Sequence, residues 1–423
     1  MNRQGADQPF RRRVFYIPGY DPIHPRRYRE LYRKEGAAQS QISGYDIALK
    51  PKKSGGNYGW HVDAIMDGRA AQADFEVLVW SDIVRGSMDG SIAGTYLQLV
   101  RTAWIYISTG ALWRLMKLRK GPVIAALYPV GMLLLQLLLA GFAFWGIASL
   151  IGVGFGQLEQ QLWPGRIFTP LFYPSIGLSL VAGGVCAIAV LRWFKRKDNR
   201  FYAYYLMHDY AYSAAQRGGY PAELETRITA FSDAIAAALQ EDVGEVLVVG
   251  HSSGAYLAVS VLADLLRAGR VPETGPALGF LSLGQVVPMV SFLPKADRLR
   301  RDLHELAATD ALTWVDVTAP GDGCAFALCD PVAVSGVAPE GKKWPLVFSA
   351  AFTQTLSPAR WKALRWRFFR LHFQYLCAFD RPKDYDYFQI TAGPIPLGQR
   401  YAGRPPSKSR IETPVNGFRN MAP

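Results

Sequence analysis

The stretch Glu245-Val-Leu-Val-Val249-Gly250-His251-Ser252-Ser253-Gly254-Ala255 decides how this chain is read. Its first five residues are a short apolar run rich in valine, the pattern of a buried strand. From Gly254 to Ala268 the apolar residues recur with helical spacing. The Gly-x-Ser-x-Gly between them therefore falls where a strand turns sharply into a helix, and its glycines let the two elements approach around a strained serine. A serine held that way projects from the sheet edge as a nucleophile. The competing reading is an ordinary turn serine in another α/β fold.

Working outward, Arg13-Val-Phe-Tyr-Ile-Pro18 has the pattern of a strand, followed by a polar helix near Pro25 to Ala38 and an alternating segment near Tyr45 to Leu49. Phe75 to Trp80, Leu278 to Leu283 and Thr313 to Val317 are further predicted strands, and Ala222 to Leu239 a further helix. Strands alternating with helices predict an α/β fold with a mainly parallel sheet covered on both faces.

That pattern is interrupted. No charged residue lies between Lys120 and Glu159 or between Arg166 and Arg192, and each run exceeds the roughly 20 residues of a bilayer-spanning helix. The sequence predicts a two-helix hairpin with spans at 123–151 and 169–192. Pro129 and several glycines leave open a re-entrant form, and buried helices of a soluble domain are a further alternative. Arg114, Lys117, Arg119 and Lys120 precede the hairpin, and Arg192, Lys195, Arg196, Lys197 and Arg200 follow it. The positive-inside rule then places both chain ends in the cytoplasm. The polar start of the chain carries no export signal, in keeping with that placement. Trp145, Trp163, Tyr173 and Trp193 suit interfacial positions, and the segment from Tyr96 to Ile107 suits a surface helix or packed core.

The predicted organisation is 10–118 and 201–390 as two parts of one α/β domain, 119–200 as the hairpin, and 391–423 as a loosely ordered or draped tail. With 423 residues there is ample chain for a large core. The net charge of +13 clusters near the start and around the hairpin without forming a nucleic-acid-binding motif, so a membrane and not a nucleic acid is the expected partner. Four cysteines without a CxxC pair point to reduced thiols and no metal site.

The elbow in its strand–turn–helix setting resembles the α/β-hydrolase superfamily, particularly its lipase and esterase branch, in which Gly-His-Ser-x-Gly is a common form. The resemblance covers roughly residues 10 to 100 and 200 to 390. It implies a triad in the order serine, acid, histidine, with Ser252 as nucleophile. Two histidines lie downstream, His304 in a charged helical segment and His372 in Phe369-Arg-Leu-His372-Phe. His372 is the candidate base and His304 a surface residue. The acid is expected just past the strand Thr313 to Val317, where Asp322 sits in a loop; Asp316, inside the strand, is the competitor, and Asp330 the third choice. The resemblance further implies an oxyanion hole from the backbone N–H of Ser253 and a second donor after an early strand. Val14-Phe-Tyr-Ile-Pro18-Gly19-Tyr20 makes the N–H of Tyr20 the candidate, although the loop lacks the multiple glycines of its most recognisable form.

The resulting expectation is a membrane-anchored serine hydrolase acting on a lipid or fatty-acyl ester, with no metal or organic cofactor. An acyltransferase using the same triad and an inactive membrane scaffold are the alternatives. Residues 205 to 220, with His208 and Asp209, are expected either to cap the pocket or to pack on it.

Overall fold

A computed structural model describes residues 8–52, 55–88, 90–166 and 168–422. Its centre is an eight-stranded sheet: β1 (Phe10–Ile17), β2 (Asp46–Pro51), β3 (Gly59–Met66), β4 (Arg69–Val77), β5 (Glu245–His251), β6 (Ala277–Leu283), β7 (Thr313–Thr318) and β8 (Leu346–Ser349). The spatial order is β2-β3-β4-β1-β5-β6-β7-β8. β3 runs antiparallel to β2 and β4, and every other pairing is parallel. The fold is thus α/β, with a mixed but mostly parallel sheet.

The sequence pattern accounts for these positions. β5 is buried along its whole length, as a central parallel strand covered on both faces must be. In β3, buried Trp60, Val62, Ala64 and Met66 alternate with more polar His61 and Asp63, the signature of an antiparallel strand with one core face. On one side of the sheet, Val14, Tyr16, Leu247, Val249, Leu281 and Val315 join a core cluster with Tyr28 and Tyr32 of the helix Arg26–Ser43 and with Tyr375, Tyr387 and Phe388. The helix Ser253–Arg267 packs on β5 and β1, flanked by the helices Ala222–Ala238 and Asp297–Ala308. β3 and β8 were not anticipated from the sequence, and the strand expected at Phe75 to Trp80 instead begins at Arg69 and ends at Val77.

The chain divides into two compact units, one comprising Met1–Ser87, Trp104–Ala125 and Tyr212–Pro423, the other Met88–Ala103 and Ala126–Ala211. Of the segment 119–200 read as a hairpin, 119–125 cluster with the first unit and 126–200 with the second, which also takes in the helix Ala203–Ala215 up to Ala211. Tyr96 explains part of this, since its hydroxyl donates to the Leu133 carbonyl at 2.8 Å within that unit, while Leu99, Leu133, Tyr204 and Met207 share a buried cluster.

Two helices, Lys120–Leu162 and Phe172–Arg196, are long and apolar enough to cross a membrane. Pro129 does not interrupt the first, which continues for 43 residues or about 64 Å at 1.5 Å per residue. Their apolar side chains are largely uncovered by protein: Trp145 is 70% exposed and Val181 65%. A buried core helix would hide such residues. The two helices approach at Gly183, where a Cβ would lie 2.9 Å from the carbonyl oxygen of Phe144, a close backbone contact that only a small residue permits.

Residues 391–422 are draped over the sheet unit rather than loose. The buried guanidinium of Arg12 pairs with Glu245 and also donates to the carbonyls of Gly393 at 2.7 Å and Ile395 at 2.8 Å. Further along, Asn416 is buried and donates to Ser291 at 2.9 Å, and Ile411 bridges to Cys329. Polar contacts hold this tail, so its poverty in aliphatic residues did not signal its order.

Candidate functional site

Because β1, β5, β6 and β7 are parallel, their carboxyl ends share one edge of the sheet, where sites in open α/β sheets form. Ser252 follows β5 directly and precedes the helix Ser253–Arg267. Its backbone has φ 57° and ψ −122°, a conformation that a side chain rarely adopts. The neighbouring glycines make it possible. A Cβ on Gly254 would lie 2.0 Å from the Ile17 carbonyl oxygen, and one on Gly250 2.7 Å from that of Gly254. The turn is also pinned from β6, since the Ser252 N–H donates to Leu283 at 2.9 Å. In the run His251 to Gly254, Ser252 alone keeps solvent exposure.

Asp322 lies four residues past β7 and His372 past β8, in the helix Phe368–His372. The structure joins them: His372 Nδ1 and Asp322 Oδ2 are 2.8 Å apart, both residues buried. A carboxylate accepts, so Nδ1 carries the proton and the other ring nitrogen, Nε2, is left as an acceptor. The second Asp322 oxygen, Oδ1, accepts from the Cys324 N–H at 2.9 Å. Burial alone would raise the Asp322 pKa, but His372, the Cys324 amide and the Tyr375 hydroxyl outweigh it and hold the carboxyl below its ordinary value.

Gly284 places the imidazole beside the elbow. It follows Leu283, the residue bonded to the Ser252 amide, and a Cβ there would lie 3.1 Å from His372 Cε1. No hydrogen bond joins Ser252 Oγ to His372 Nε2 among the described residues. Where a serine and an imidazole act together, that contact commonly closes only around a substrate.

The expected oxyanion donors border the same serine. Ser253 opens a 15-residue helix, and its amide is among the first four, which lack an intrahelical acceptor. A Cβ on Gly19 would lie 3.0 Å from Ser252 Cβ and 3.4 Å from its Oγ, so the Pro18–Gly19–Tyr20 loop runs against Ser252. Trp80 fixes that loop by donating to the Pro18 carbonyl at 2.9 Å, and the Tyr20 ring packs against Trp80 and Tyr212. Of the segment 205 to 220, Tyr212 thus packs on this loop, whereas His208 lies in the helical unit at 2.7 Å from Gln98.

The competing residues have other partners. Asp316 is inside β7 with Ser282 Oγ at 2.6 Å, and burial raises its pKa to about 8. Asp330 caps a helical turn by accepting from Val332 and Ala333, each at 3.0 Å. His304 Nδ1 faces the Val337 carbonyl at 2.9 Å.

Two supporting residues were not anticipated. The Tyr375 hydroxyl donates to Asp322 Oδ2 at 3.0 Å while accepting from the Ala319 N–H at 2.9 Å. His251 Nε2–H donates to the His372 carbonyl at 3.0 Å, and burial pushes its imidazole down to about 3, so it stays neutral. No local sequence pattern marked either residue, since the contacts span 53 and 121 positions.

The ligand atoms of Asp322, Cys324 and His372 lie within 4.8 Å of one another, the spacing of a three-ligand metal centre. Both Asp322 oxygens, however, are already acceptors for Cys324, His372 and Tyr375. A cation would have to displace those bonds, so the group fits a hydrogen-bonded pair better than a metal site. Comparison with protein-family models, with curated proteins and with solved structures finds no match to this chain.

Proposed function

We propose that the chain is a membrane-anchored serine hydrolase of the α/β-hydrolase kind that cleaves a lipid or fatty-acyl ester through an acyl-enzyme on Ser252. One observation carries the reading: the strained turn of Ser252, at φ 57° and ψ −122°, lies beside a buried Asp322–His372 pair on the carboxyl edge of a mostly parallel sheet.

In this mechanism Ser252 Oγ attacks the ester carbonyl as His372 Nε2 takes its proton, and Asp322 stabilises the imidazolium. The backbone N–H groups of Ser253 and Tyr20 hold the oxyanion. Collapse expels the alcohol, which recovers the proton from His372, and a water deprotonated by the same nitrogen then releases the acid. The exposed apolar surface of the two long helices supports membrane anchoring, and their basic flanks support a cytoplasmic site. Anchoring beside a bilayer favours lipid substrates over soluble ones.

The test is labelling of the full chain in detergent with a fluorophosphonate, comparing wild type with Ser252→Ala and His372→Ala. Labelling of the wild type alone supports an activated serine. A folded wild type that does not label overturns the reading and favours a scaffold without activity.

A further inference from the structure

The segment leading into His372 has a composition that the proposed catalysis does not use. Trp361-Lys-Ala-Leu-Arg365-Trp366-Arg367-Phe368-Phe369-Arg370 carries four cations and no carboxylate. Trp366 is 73% exposed and Phe368 46%, and Lys362, Arg365, Arg367 and Arg370 are exposed around them. None of these four cations is ion-paired among the described residues. Large aromatic side chains left in water beside unpaired arginines are costly for a soluble surface and suit a lipid headgroup layer.

Its neighbours say what covers it. A Cβ on Gly321 would lie 2.6 Å from the Trp361 ring, and one on Gly323 3.3 Å from the Phe368 ring, so the segment lies on the loop that carries Asp322. The first turn of the helix Lys120–Leu162 touches the same loop: a Cβ on Gly121 would lie 3.6 Å from Gly323 Cα. Just before it, Arg119 donates to the Ala327 carbonyl at 2.8 Å. The aromatic and basic segment and the foot of the first long apolar helix therefore meet at one glycine, with the Arg119 guanidinium bonded to the same loop.

We infer that residues 361–370 are an interfacial docking segment: Trp366 and Phe368 enter the headgroup region of an anionic bilayer, and Lys362, Arg365, Arg367 and Arg370 bind its phosphates. The inference rests on the membrane-anchored reading but not on catalysis. Docking presses the bilayer against the Asp322 loop and the approach to His372, so a lipid reaches the site without crossing water.

Hydrogen exchange of the full chain in nanodiscs tests this, with phosphatidylcholine alone compared with a mixture containing phosphatidylglycerol. Amides of 362–370 should exchange about fivefold or more slowly in the anionic discs, since each basic residue near an anionic leaflet is worth about 1 kcal/mol. The protection should disappear in high salt and in the exposed triple variant Arg365→Gln, Arg367→Gln, Arg370→Gln. Trp366→Ser with Phe368→Ser should weaken it independently. Equal exchange in the two discs overturns the inference. Ser252→Ala should retain the protection, so loss of the hydrolase reading and loss of this one are read separately.

Discussion

His251 Nε2–H donates to the main-chain carbonyl of His372 at 3.0 Å, tying the residue before Ser252 to the histidine proposed as its base. His251→Leu should remove one hydrogen bond from that carbonyl, at a cost of about 0.5–1.5 kcal/mol. The fluorophosphonate labelling rate should fall about tenfold, the size of a modest loss of positioning. His251→Gln restores a donor and should recover part of the rate. Equal rates in all three proteins would sink this positioning role.

Asp322 and Asp316 make opposite predictions. Asp322→Asn should lower turnover of an activated ester by about 10⁴-fold with folding retained, because an amide no longer selects the tautomer with its proton on Nδ1. Asp316→Asn, remote from His372, should leave turnover within about twofold of wild type. Comparable losses in both would remove the assignment.

Tyr375 shares its hydroxyl between Asp322 Oδ2 and the Ala319 amide. Tyr375→Phe removes one of the bonds holding the carboxylate below its ordinary pKa. The acidic limb of the kcat/KM profile should therefore move, with kcat lowered and KM little changed. An unshifted profile would reduce the residue to packing.

Gly19 and Gly254 should fail differently. Gly19→Ala presses on the Ser252 side chain at 3.0 Å and meets backbone no closer than the His251 carbonyl at 3.4 Å, so the protein should fold and label slowly, about 10²-fold down as for a lost oxyanion donor. Gly254→Ala drives a methyl to 2.0 Å from the Ile17 carbonyl and should cost about 4 kcal/mol or more, visible as a drop in melting temperature.

Asp316 also predicts a pH dependence of stability. Burial raises its carboxyl from 3.8 to about 8, against the Ser282 hydrogen bond and with a contribution from Asp330. A raised carboxyl is protonated in the fold and ionised in the unfolded chain, so its stabilisation is full below about pH 4 and is lost as pH rises through about 8. Asp316→Asn should flatten the melting temperature across that window. A wild type with no decline between pH 5 and 8 would contradict the shift.

The elbow was legible because three signals coincide within a dozen residues: the valine-rich strand, the glycines and the helical spacing after them. His372 followed from the chain order that the hydrolase resemblance implies, and Asp322 from its loop just past the strand Thr313 to Val317; the structure brings that pair together. β8 was not legible. It is four residues long and directly follows Pro345, too short for any alternation to register. β3 carried a clear alternation from Trp60 to Met66, but its neighbours Gly55, Gly56 and Asn57 look like a loop. His251 and Tyr375 were missed for another reason. Their roles depend on contacts spanning 121 and 53 positions, which no local pattern records.

β1 lies between β4 and β5, yet Arg12 and Glu245 are 233 positions apart, with both long apolar helices between them. On a ribosome making about 5–20 residues per second, the Phe10–Ile17 edge therefore waits roughly ten to fifty seconds for its partner. Throughout that interval the nascent chain presents an unpaired strand edge of the kind that templates aggregation. Biogenesis thus requires that the half-built sheet be shielded while the two long apolar helices are made, and the sheet closes only once β5 emerges after them.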